Sequence, residues 1–69
     1  MKDLTVKQKA VLSAIKEFIN KNSFPPTCQE LRSILGYSSA NSITGYLDLI
    51  EKKGYIKRAP KIARSIVVL

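Results

Sequence analysis

Apolar residues fall along the chain in a broken rhythm. Val11, Ile15, Phe18 and Ile19, with Ala10, Leu12 and Ala14, recur at helical spacing, while Lys7, Lys9, Lys16, Glu17 and Lys21 fall between them. This spacing predicts an amphipathic helix with one buried face. Thr5 precedes the run and Gln8 follows three residues later, the pairing of a capping box, so the helix starts at about residue 6. It ends near residue 22, because Pro25 restricts Phe24 and neither Pro25 nor Pro26 has an N–H to donate. Thr27 and Glu30 form a second capping box, followed by Leu31, Ile34 and Leu35 on one side, and Gly36 suits a left-handed cap. This predicts a short helix over about 28–35. After Tyr37, either Ser38 or Ser39 can cap a third helix, over about 40–53, whose buried stripe is Ala40, Ile43, Leu47 and Ile50. Gly54 follows as a second C-cap candidate. Tyr55 to Arg58 and Ser65 to Leu69 are rich in β-branched or aromatic residues and predict strands over about 55–58 and 65–69, with Pro60 in the turn between them.

The expected fold class is therefore α+β, mainly α: three helices and a C-terminal two-stranded hairpin, forming one unit over residues 1–69. A chain of 69 residues holds one thin core. One cysteine and no histidine leave that core to apolar packing, without a disulfide or a histidine-bound metal as a staple. A short helix, a turn after glycine and a longer helix form the helix-turn-helix order, in which the second helix of the pair enters the DNA major groove. The hairpin that follows is then a wing.

Charge strengthens this reading. The net charge is +7, and from Lys52 onward Lys52, Lys53, Lys57, Arg58, Lys61 and Arg64 occur with no acidic residue, whereas all five acids lie between Asp3 and Glu51. A basic C-terminal segment beside a helix-turn-helix points to a polyanion, here double-stranded DNA. Centred on Ile43, Leu47 and Ile50, the third helix turns Asn41, Gly45, Asp48 and Lys52 outward, with Ser42 and Thr44 on the flanks. Asn41 matches the paired donor and acceptor of an adenine edge, Thr44 matches a base or a thymine methyl, and Ser42 matches either a base or a phosphate. Gly45 in a helix interior costs up to ~1 kcal/mol against alanine, which points to close approach of DNA there. Phosphate contacts are expected from Lys52, Lys53, Lys57, Lys61 and Arg64, supported at helix starts by Thr27 and by Ser38 or Ser39. Arg58 either pairs with Glu51 or projects from the wing.

Other chemistry has little to stand on. Metal-ligand spacing, a Gly-rich phosphate loop and a clustered carboxylate pair are all missing from the sequence, so neither enzyme activity nor a cofactor is expected. Cys28 at a helix start is read as structural or incidental rather than as a redox sensor, since no second cysteine stands by to resolve a sulfenic acid. Tyr37, Tyr46 and Tyr55 are read as packing residues with wet hydroxyls. No run approaches the roughly 20 apolar residues of a membrane span, so the expected location is the cytoplasm, at the bacterial nucleoid.

Several of these residues also carry a resemblance. Met1-Lys2, Leu4-Thr5, Phe24-Pro25-Pro26-Thr27, Glu30, Leu35-Gly36, Ser39, Asn41, Leu47, Lys53-Gly54, Ile56 and Arg64 fall in register with the LexA repressor family, and the chain resembles that family's N-terminal domain throughout. The resemblance implies a winged helix-turn-helix that reads an operator for DNA-damage or prophage genes. It places Ser39, Asn41, Ser42, Thr44 and Gly45 at the recognition positions. The family pattern has proline before the asparagine and acidic residues at the last two positions, where this chain has Ala40, Thr44 and Gly45; a different target sequence follows. Full-length members carry a C-terminal self-cleaving serine/lysine peptidase domain that also dimerises them, and its linker would begin near Leu69. The expected complex is a homodimer on an inverted repeat, with pairing weak in this chain or supplied by that further domain. The competing reading is a winged-helix module that binds an acidic protein, such as an antirepressor or assembly domain.

Overall fold

The computed structural model describes residues 3–59 and 61–69. Met1-Lys2 and Pro60, which the sequence places in the turn, lie outside the described residues. Three helices, α1 (Val6–Asn22), α2 (Cys28–Leu35) and α3 (Ala40–Lys52), pack against one another and precede strands β1 (Ile56–Lys57) and β2 (Val67–Val68).

The helix boundaries are set by local hydrogen bonds. Thr5 Oγ1 accepts from Gln8 N at 3.2 Å, and Gln8 Oε1 accepts from Thr5 N at 3.0 Å. Thr27 and Glu30 repeat this reciprocal pair at the start of α2, at 3.1 and 2.9 Å. Each box satisfies two N–H groups that a helix start leaves open. Helix α2 ends on Gly36 at φ 75°, whose N–H donates to Arg32 O, so a side chain there would be strained. Of the two candidate caps for α3, Ser39 serves: its Oγ accepts from Asn41 N at 3.1 Å. The third helix stops at Lys52, one residue before the expected end, and Lys53 forms the C-cap.

The core joins Val11, Leu12 and Ile15 of α1, Leu31 of α2, and Ile43, Leu47 and Ile50 of α3 with Leu4, Ile56 and Ile66. Four expected core positions stand out as different. Ala10 is exposed, Phe18 and Ile19 are half-buried, and Ile34 is 55% exposed. The two-turn helix α2 packs through Leu31, and among the described residues its far edge, where Ile34 lies, is left largely to solvent. Among the described residues, no helix is long and apolar enough to cross a membrane.

The wing departs further from expectation. Its strands pair antiparallel in the register Ile56↔Val68 and Lys57↔Val67, and each has two residues in place of the expected four and five. Side chains take over the backbone groups that would extend the ladder. Arg58 N donates to Glu51 Oε2 at 3.0 Å, and Ala59 N donates to Ser65 Oγ at 3.1 Å, while the Ser65 hydroxyl returns a bond to Ala59 O at 3.1 Å. The hairpin is thus stitched by side chains at its tip and by main chain at its base.

Candidate nucleic-acid interface

Burying Ile43, Leu47 and Ile50 forces the opposite side of α3 into solvent. Asn41, Ser42, Thr44, Gly45, Asp48 and Lys52 are all exposed, while Ser39 is half-buried beneath the first turn. Ser39 caps the helix, so the Asn41 carboxamide is not needed there, and it makes no hydrogen bond to another described residue. The Thr44 hydroxyl donates back to Ala40 O at 3.2 Å, which leaves its methyl and its oxygen lone pairs facing outward.

An open groove of about 340 Å³ runs along this face, lined by Tyr37, Asn41, Ser42, Gly45, Tyr46 and Leu49. The Tyr37 and Tyr46 rings stack with centroids 5.7 Å apart and 21° between planes. They pack as expected, on each other, and burial together with the adjacent Tyr46 pushes the Tyr37 hydroxyl above its ordinary pKa, so it stays protonated. That these two rings and Leu49 would rim the exposed face of α3 was missed in the sequence, because tyrosines nine residues apart come together only across the turn.

A Cβ added at Gly45 would meet nothing within 4 Å, so no intramolecular contact requires glycine there. Gly45→Ala is accordingly expected to stabilise the domain by up to ~1 kcal/mol in a thermal melt while weakening duplex binding. A variant that gains stability and binds equally well would remove close approach as the reason for this glycine.

The basic residues separate into two groups. Lys52, Lys57 and Lys61 are exposed and have no ion-pair partner among the described residues. Ser38, in the turn, is also exposed. Lys53, Arg64 and Thr27, expected at phosphate, are engaged inside the fold. Lys53 Nζ donates to Asp3 O at 2.9 Å and to the buried Gln8 Oε1 at 2.7 Å, tying the N-terminal segment to the end of α3. Arg64 holds Glu30 through both terminal guanidinium nitrogens, Nη1 and Nη2. Thr27 Oγ1 is taken by the α2 cap. These partners are 45 and 34 residues away from Lys53 and Arg64, beyond the reach of any sequence window.

Arg58 takes the first of its two expected courses and adds a partner. It donates through Nε to Glu51 at 3.1 Å and through Nη2 to Asp48. Burial disfavours its charge, but the hydrogen bonds it donates to Glu51 and Asp48 outweigh this and hold its pKa above the ordinary value. The wing thereby neutralises two carboxylates on α3 that would otherwise repel phosphate.

Glu30 is held below its ordinary value of 4.5, first by the side-chain bond from Arg64 and then by the Thr27 N–H, against a desolvation cost. A depressed carboxylate pKa contributes stability that is fully present above the unfolded-state value and is lost as pH falls through the folded value. The thermal midpoint of the wild type is therefore expected to exceed that of Glu30→Gln at neutral pH, and the gap to close on acidification below about pH 4.5. A gap independent of pH would contradict the ion pair.

Comparison with known proteins agrees with this geometry. The family described as LexA DNA binding domain matches residues 1–65. The chain is 41% identical over 68 residues to the LexA repressor of Arthrobacter sp. (strain FB24), covering 99% of this chain and 27% of that protein. It is 42% identical over 67 residues to the LexA repressor of Pelotomaculum thermopropionicum, covering 97% and 33%. With the LexA repressor of Shouchella clausii it shares 38% over 69 residues, covering 100% and 33%. The chain thus spans about a third of the length of the relatives it matches, and the matched part is their DNA-binding region, not a catalytic one. The chain belongs to the LexA DNA binding domain family.

Proposed function

We propose that the chain is the operator-reading part of a transcriptional repressor of DNA-damage or prophage genes, acting at the bacterial nucleoid. The observation that carries this is the exposed N-terminal half of α3, where the Asn41 carboxamide has no hydrogen-bond partner among the described residues while Ser42, Thr44 and Gly45 leave room for base edges. In this reading Asn41, Ser42 and Thr44 contact bases, Gly45 admits the groove wall, and Ser39 orients Asn41 by capping the helix. Ser38, Lys52, Lys57 and Lys61 hold the backbone, and they set register without specifying sequence. Thr27, Lys53 and Arg64 act through the fold instead.

Repressors of this architecture read inverted repeats as symmetric pairs, and the proposed complex is a homodimer with half-sites one or two helical turns apart. Pairing on DNA is either intrinsic and weak or supplied by a further domain. Selection of duplexes from a random-sequence library tests the proposal. An enriched motif, in inverted repeats when two copies bind, is the expected result. Recovery of no motif at any salt concentration would overturn sequence reading.

A further inference from the structure

Two residues of the wing tip, Lys61 at φ 62° and Arg64 at φ 56°, take left-handed backbone without being glycine. Such conformations persist where surrounding contacts hold them. For Arg64 those contacts lie across the molecule. Its Nη1 donates to Glu30 Oε1 at 2.8 Å and Nη2 to Glu30 Oε2 at 3.0 Å, and Nη1 also reaches Pro25 O at 3.2 Å. The guanidinium carbon stands 4.7 Å from the centroid of the Phe24 ring. An isolated exposed ion pair holds little, but a planar fork on both oxygens of one carboxylate, with a carbonyl and a ring face, fixes a single geometry.

Glu30 serves two elements at once. The oxygen that accepts from Arg64 Nη1 also accepts from Thr27 N at 2.9 Å to close the start of α2. The wing therefore has two anchors, Arg58 on α3 at one end and Arg64 on α2 at the other. Between them lies Lys61, exposed and without a partner among the described residues.

We propose that Arg64 and Glu30 are positioning residues that clamp the wing to the helix-turn-helix, so that Lys61 meets the DNA backbone in register with α3. Arg64 then acts on DNA through the wing and not as a phosphate ligand. This rests on the reading of the chain as a duplex binder, and the clamp itself has a readout that needs no DNA.

Glu30→Gln isolates the clamp, because glutamine serves in a capping box as glutamate does, while the charge that holds Arg64 is gone. The sign of its effect is diagnostic. Removing a negative charge near DNA, and freeing an arginine to reach phosphate, would tighten binding; loss of wing position weakens it. The probes are the strongest duplex from the random-sequence selection and an unrelated duplex of equal length. Lys61→Ala in the wild type is expected to lower the salt slope by about one, which is roughly tenfold in affinity at 0.1 M salt. In the Glu30→Gln background the same change is expected to cost less than about twofold, because residues in one network do not add. Without DNA, Glu30→Gln is expected to abolish the ring-current shift of the Arg64 side chain over Phe24 and to lower the 15N-relaxation order of residues 61–65, with the α2 amides unchanged. Tighter binding by Glu30→Gln, equal costs of Lys61→Ala in both backgrounds, or an unaltered wing spectrum would each overturn the clamp. Should the wild type bind neither duplex, the functional reading fails, and the spectra alone decide the clamp.

Discussion

Leu47→Ala is expected to remove about 2–5 kcal/mol of folding free energy. Leu47 is fully buried where α3 meets the rest of the core, and its loss leaves a void among neighbours held by three helices and the wing. At the usual stability per residue, a chain of 69 residues has roughly 3–10 kcal/mol in total, so this one substitution approaches the whole reserve. Urea denaturation followed by circular dichroism measures it as a lower midpoint with little change in slope. DNA binding falls with the folded fraction, and saturating duplex restores it, because a ligand that binds only the folded state stabilises that state. A midpoint within error of wild type would mean that Leu47 is not in the core.

Asn41→Ala has its largest effect on discrimination. If the free carboxamide pairs with an adenine edge, its loss costs ~1–3 kcal/mol against the preferred base at one position of each half-site. Stability is expected to change little, since Asn41 is exposed and Ser39 provides the cap. Competition binding against duplexes substituted at each position maps the relaxed base pair. Lys57→Ala is the contrast: it is expected to weaken every duplex alike and to lower the salt slope by about one. Equal loss on all sequences from both variants would displace base readout from the start of α3. Lys53 is a poor choice for this contrast, because its ammonium is bound to Asp3 O and Gln8, and Lys53→Ala would perturb the fold as well as the charge.

Much of this architecture was legible along the chain because its signals are local. Each capping box is completed within four residues, so Thr5 with Gln8 and Thr27 with Glu30 announce their helices without reference to the rest of the molecule. The stripe of Ile43, Leu47 and Ile50 identifies the buried side of α3 and, by subtraction, its solvent-facing side. Ile34 shows where that logic stops. Its spacing matches Leu31 and Leu35, but periodicity describes only a face, and whether another element covers the edge of that face depends on packing. The short wing strands have a similar origin, since Ser65 and Glu51 compete for backbone groups that β-propensity alone assigns to the partner strand.

The division is clearest among the cations. Composition and order along the chain established a basic C-terminal segment after a helix-turn-helix, because net charge and cap chemistry need no coordinates. Which of those charges remain free was decided by tertiary contacts alone. Lys52, Lys57 and Lys61 face solvent, whereas Arg58, Lys53 and Arg64 found carboxylates or carbonyls brought beside them by folding. A lysine or arginine reads the same in sequence in either case, because Coulomb attraction and hydrogen bonding act over a few ångströms of space and take no account of the number of residues between.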